Sequence, residues 1–149
     1  MPRTHPPATA SIAGIPIRAL LSPFPIVCFI GTLLTDITYW QTAEMMWADF
    51  SAWLVTVGLI MGVLAFIAGL IDFLSDPAVR RQTSARTNLV GSVILLVLAT
   101  FNMFIHTHDA WTSVVPWGLT LSAIVVVVLL VTEWTGFSMV FRDGVGVSE

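Results

Sequence analysis

Four long apolar stretches separated by short polar clusters run the length of the chain. Residues 19–35, 50–71, 87–105 and 110–132 contain no Asp, Glu, Lys or Arg. An α-helix rises about 1.5 Å per residue, so ~20 residues cross a hydrocarbon core. The first stretch reaches that length if Asp36 to Trp40 complete its far end. The pattern predicts an all-α integral membrane protein, a four-helix bundle occupying residues 18–147 with spans of about 19–40, 50–73, 87–107 and 114–139. A tail (1–17) and a stub (142–149) flank it. The stretch 4–13, with His5, Pro6 and Pro7, reads as extended, and Glu44 to Trp47 as a short interfacial turn.

Each span carries one small or polar stripe. In the second, Gly58, Gly62, Ala65 and Gly69 fall on one helical face, which Asp72 extends. Such small-residue spacing lets a neighbouring helix approach closely. In the third, Asn88, Ser92, Ala99, Asn102 and His106 lie within ~40° of one direction at about 100° per residue. Gly118, Ser122, Glu133 and Gly136 share a face of the fourth, and Arg18, Pro25, Phe29, Thr32 and Asp36 a face of the first. A polar group turned to lipid costs several kcal/mol, roughly what an unsatisfied backbone group costs there. The stripes are therefore expected to face one another. By depth the polar residues form two layers: Asp36, Asn102 and His106 towards one end, and Arg18, Asp72, Asn88 and Glu133 towards the other.

Composition agrees with this reading and orients it. Apolar residues make up 56% of the chain and charged ones 10%, with a mean hydropathy of +0.90, so a water-facing shell is excluded. The 6 basic residues are all arginines, with no basic face for nucleic acid. Arg3, Arg18, Arg80, Arg81, Arg86 and Arg142 all fall on one side of the four-span map, which predicts cytoplasmic termini. Tyr39, Trp40, Trp47, Trp53, Trp111 and Trp117 gather towards the opposite interface. Pro23 and Pro25 interrupt the first apolar stretch, and no small-x-small site follows, so the first span is expected to remain attached.

Catalytic chemistry finds little footing. The single cysteine, Cys28, excludes a disulfide framework, and no G-x-S-x-G, Walker, H-E-x-x-H or dinucleotide motif occurs. His106, His108 and Asp109 form a sparse His-x-His-Asp set, but residues two apart point to different faces of a helix, and the expectation is no metal site.

The run Ser22-Pro23-Phe24-Pro25-Ile26, then Gly31 and Asp36, the stretch Gly69-Leu70-Ile71-Asp72-Phe73, and the terminal Gly144-Val145-Gly146-Val147 resemble the bacterial membrane family called domain of unknown function 2231. The resemblance covers about residues 18–147 and implies a four-helix inner-membrane protein without an established activity. Relatives commonly carry His-Pro where this chain has Arg18 and Ala19, and a histidine near Asn88. Two imidazoles there would suit a haem or metal, a cofactor this chain is expected to lack because neither arginine nor an amide replaces them as ligands. Arg18 is expected instead to pair with Asp72 or Glu133.

The expectation for function is a non-enzymatic accessory or interaction protein whose partners are the lipid bilayer and a membrane protein or second copy of the chain. The alternatives are a b-type haem or metal-binding electron carrier, and a small ion- or proton-coupled transporter using Asp36 and Glu133. The arginine asymmetry generates a direct test. Reporters fused after Glu149 and within residues 80–86 should read cytoplasm, and one near Ala48 the outside. An external C-terminus would reverse the orientation.

Overall fold

The structure, a computed structural model, describes residues 11–12, 15–108 and 114–141. The tail before Ser11, Asp109, Trp111, Arg142 and the glycine-valine terminus lie outside the described residues. Ser11–Ile12 pairs antiparallel with Ile15–Pro16 in a two-residue bridge that leads into the first helix. The helices are α1 (Ile17–Leu21), α2 (Pro23–Thr42), α3 (Met45–Ser75), α4 (Pro77–Arg81), α5 (Thr83–His106) and α6 (Leu119–Phe141).

Four of these segments are long and apolar enough to cross a membrane: Ile17–Thr42, Met45–Ser75, Thr83–His106 and Val114–Phe137. They pack in a ring, with α2 against α3, α3 against α5, α5 against α6 and α6 back against α2. The outer surface is a shell of Val, Leu, Ile, Phe and Trp side chains, among them Val27, Ile60, Val97, Phe101, Val127 and Leu130. A continuous apolar exterior of this kind has hydrocarbon, not water, as its solvent.

Local chemistry explains where the helices start and stop. Pro23 has no N–H to give to the carbonyl of Ala19, so the first span breaks into α1 and α2. Ser22 closes the junction, its backbone N–H and its Oγ both donating to the Arg18 carbonyl, at 2.9 and 2.8 Å. α2 ends at Ala43, whose φ of 56° is left-handed and whose N–H reaches back to the Tyr39 carbonyl at 2.7 Å. Glu44 to Trp47 do not form a separate turn: α3 begins at Met45, five residues ahead of the expected start. Burial of Ala48 and Ser51 against α2 makes the longer helix favourable.

The connection between α3 and α5 contains α4. Asp76 caps it, its carboxylate accepting from the Ala78 N–H at 2.7 Å, and Pro77 occupies the first turn. Val79 is thereby buried against Ala85 and Phe73. At the other end, Val114–Gly118 form an irregular turn with Val115 extended, and α6 starts only at Leu119.

The apolar core sits midway along the bundle and comprises Phe29, Val55, Leu95, Ala99, Val125 and Leu129, one or two residues from each of α2, α3, α5 and α6. The closest helix approach in the small-residue stripe of α3 is at Gly58. A methyl group added there would lie 2.9 Å from Cys28 Cβ and 2.9 Å from the Phe29 ring, whereas at Gly62 it would meet Leu96 at 3.2 Å. α5 and α6 have a second close seam, where a methyl on Gly91 would meet Thr132 Oγ1 at 2.6 Å. Gly58→Leu should therefore destabilise the folded protein by about 1–3 kcal/mol through overpacking, while Ile60→Leu, on the lipid face, should be close to neutral. Thermal unfolding in detergent measures both, and equal midpoints for the two variants would count against the seam.

Candidate functional site

The structure gathers the polar stripes into two clusters separated by the apolar core. Asn88 and Asn102 lie on the same face of α5, and the rise per residue puts them about 21 Å apart along the axis. The layer between them, Phe29, Val55, Leu95, Ala99, Val125 and Leu129, contains no polar side chain.

The first cluster centres on Asp36, which has no exposed surface. His106 Nε2 lies 2.9 Å from Asp36 Oδ1 and His106 Nδ1 lies 2.9 Å from the Asn102 carbonyl oxygen, both at hydrogen-bond distance. With both nitrogens facing oxygen acceptors, the arrangement suits an imidazolium held against a carboxylate. Ser122 Oγ donates to Asp36 Oδ2 at 2.5 Å and accepts from Asn102 Nδ2 at 2.9 Å. One carboxylate thus ties α2 to α5 and α6. Beside it Thr35 and Ser51 share a hydroxyl contact at 2.6 Å that ties α2 to α3. Asn102 Oδ1 is buried without a hydrogen-bond partner among the described residues, so the network is one donor short.

Serine, aspartate and histidine in one cluster invite comparison with a hydrolase triad, and the connectivity excludes it. In a triad the serine hydroxyl donates to the imidazole, which takes its proton. Here Ser122 donates to the carboxylate, and both imidazole nitrogens are engaged, by Asp36 and by the Asn102 carbonyl, so neither faces the serine hydroxyl. His108 is exposed and turned to the Phe104 carbonyl, away from His106. Among the described residues no group of three or more His, Cys, Asp or Glu side chains stands together in a way that could hold a metal ion.

The second cluster lies at the opposite end of the bundle. Arg18 Nη2 donates to Asn88 Oδ1, and Asn88 Nδ2 donates to the Thr132 carbonyl at 2.8 Å, with Thr135 Oγ1 at 3.4 Å. Arg18 thus has a hydrogen bond to an amide on α5, and Glu133 and Asp72, the carboxylates expected to pair with it, attract the guanidinium through space. Two glycines make room for this. A methyl on Gly69 would meet Arg18 Cδ at 3.1 Å and one on Gly136 would meet Asn88 Nδ2 at 2.9 Å.

Around this cluster opens a cavity of about 410 Å³, lined by all four spans. Its walls are largely apolar, including Pro25, Ile26, Leu95, Leu96 and Leu129, and Arg18, Asp72, Asn88 and Glu133 supply its charged and amide groups. Gly62, Ala65 and Gly69 border it, with the Leu96 side chain of α5 against Gly62 and the Arg18 side chain of α1 against Gly69. The volume falls in the range of small-molecule sites, about 300–1,000 Å³.

A four-span helical bundle with two internal polar layers, an apolar layer between them and a lipid-facing exterior is an integral membrane protein. The chain belongs to the family of predicted membrane proteins called domain of unknown function 2231, whose pattern it matches over residues 14–149. No curated protein and no solved structure matches the chain.

Positions 18 and 88 meet across the bundle. Their present occupants do not fit an iron-bound macrocycle. A guanidinium has no lone pair to give, and the amide oxygen of Asn88 is taken by Arg18.

Ser122 and Thr132 belong to these networks and were not among the residues singled out for chemistry, although Ser122 lies on the stripe read in the fourth span. Asp36→Ala should cost roughly 3–5 kcal/mol, because it leaves the His106 charge buried without its partner. The double variant Asp36→Ala with His106→Ala should lose less than the sum of the two single losses. Strict additivity in detergent unfolding would mean the two side chains are not coupled.

Proposed function

We propose that the protein is a non-enzymatic, multi-pass accessory or interaction protein of the bacterial inner membrane, with both termini cytoplasmic. The observation that carries the reading is the closure of the Asp36 cluster: carboxylate, imidazole and hydroxyl are spent on joining α2, α5 and α6. An active site needs a nucleophile and a base with free lone pairs and access to substrate. A proton or ion relay needs polar groups at intervals across the membrane. Asp36 and Glu133, the pair that a transporter would use, stand on opposite sides of the apolar core layer, which speaks against a path within one chain. The absence of histidine at positions 18 and 88 supports the further reading that no haem or metal is carried at that place. Partners consistent with the lipid-facing exterior are the bilayer itself and another membrane protein or second copy of the chain.

Purified protein reconstituted into liposomes tests this. Proton and sodium flux should equal that of empty liposomes, and the detergent-solubilised protein should show no Soret absorption and no stoichiometric metal. Flux above the empty-liposome rate would replace the accessory reading with a transporter, and a Soret band with an electron carrier.

A further inference from the structure

The cavity at the Arg18 end is open to a guest, and its lining determines the guest's charge. One guanidinium and two carboxylates border it, Arg18 against Asp72 and Glu133. Arg18 donates to the neutral Asn88 amide and keeps its charge, which Glu133 and Asp72 attract through space. The one guanidinium therefore offsets one of the two carboxylates, and the lining keeps an excess of one negative group. Glu133, half-buried on α6 at membrane depth, makes no hydrogen bond or ion pair among the described residues and borders the cavity. Three aromatic rings, Phe66, Phe73 and Phe137, share the lining. Carboxylates offer a cation a counter-charge, and ring faces attract it through their quadrupoles, most strongly where water is excluded. An anion would meet two carboxylates against a single guanidinium already hydrogen-bonded to Asn88. A neutral apolar guest would leave Glu133 facing hydrocarbon.

We propose that this cavity binds a lipophilic organic cation, with its charge at Glu133 and its apolar body among the phenylalanine rings. The inference goes beyond the accessory reading and does not rest on it: bound cation is read by dialysis, and ion flux and cofactor content by separate measurements. Arg18 acts as a positioning residue that fixes α1 and α5 around the site through Asn88. The small residues Gly62, Ala65 and Gly69 hold the volume open on the α3 side.

The test uses two ions of the same shape and opposite charge. The full chain in neutral maltoside micelles is dialysed against tetraphenylphosphonium or tetraphenylborate, with protein-free micelles as the control for partitioning. Measured in separate dialyses, the phosphonium should bind saturably, at about one per chain, and more tightly than the borate. Glu133→Gln should weaken it by roughly tenfold or more, the scale of one desolvated charge contact, and Glu133→Asp should restore part of the loss. If Glu133→Gln does not fold, Asp72→Asn, at the cavity's edge, should weaken binding in the same direction, and the contrast between phosphonium and borate still decides. No saturable phosphonium binding by the parent overturns the proposal. So does equal or tighter binding of the borate, which would assign the cavity to an anion at Arg18, or a folded Glu133→Gln variant that binds as the parent does.

Discussion

A carboxylate with no exposed surface cannot be left alone in a lipid-immersed bundle, and the arrangement of the helices around Asp36 follows from that constraint. Hydrocarbon supplies neither solvation nor hydrogen bonds, so each oxygen of Asp36 must find its donor inside the protein. His106 provides one from α5 and Ser122 the other from α6. The donors are held in turn: His106 by the Asn102 carbonyl and Ser122 by the Asn102 amide. Rotating any of these helices about its axis would break several bonds at once. Apolar packing alone would not fix the rotation so well, because lipid tails are as apolar as leucine and distinguish weakly between faces. The polar cluster therefore sets which faces meet, and the core of Phe29, Val55, Leu95, Ala99, Val125 and Leu129 fills the register it defines.

The two polar layers differ in how completely they are closed. Around Asp36 the helices approach closely and the charged groups touch. Around Arg18 the side chains at Gly62, Ala65 and Gly69 are small, the helices stand apart, and a cavity of about 410 Å³ results. Its polar members are only partly joined, Arg18 to Asn88 and Asn88 to Thr132, while Glu133 interacts with Arg18 through space. A bundle closed at one end and hollow at the other is stabilised by the first and leaves the second free to accept a guest.

Much of this was legible in the sequence, for a physical reason. Helical periodicity places Asn88, Asn102 and His106 on one face, and the cost of a polar group in lipid turns that face inward; neither step depends on the neighbouring helices. What depends on the neighbours was not legible. Arg18 is equally near in depth to Asp72, Glu133 and Asn88, and only the relative rotation of α1 and α5 selects the amide. The stripe from Gly58 to Gly69 reads as one uniform seam, yet its glycines meet different helices: Gly58 the Cys28 and Phe29 side chains of α2, Gly62 the Leu96 side chain of α5 and Gly69 the Arg18 side chain of α1. Its lower part also borders the cavity. Gly91 escaped notice for the converse reason: a lone glycine in an apolar run has no periodicity, and its close contact is visible only once Thr132 is placed opposite. The helix α4 did have a signal, Asp76 followed by Pro77, which is a capping residue ahead of a first-turn proline.

The meeting of Arg18 and Asn88 across the bundle shows how the chemistry of one place depends on the two side chains that stand there. Two positions that converge across a bundle can share a metal if both are imidazoles, since each brings a lone pair. With a guanidinium and an amide the same convergence produces a direct hydrogen bond, because one side brings only donors and the other has an acceptor to offer. The helices need not move for this: Gly69 and Gly136 leave room beside the pair, and Asn88 gains an anchor in the Thr132 carbonyl. The geometry of the inner layer is thus a property of the bundle, set by small residues and by the Asp36 cluster at the far end. The chemistry of the layer is a property of the two side chains that meet there, and in this chain they leave Glu133 as the charged group bordering the cavity without a hydrogen bond among the described residues.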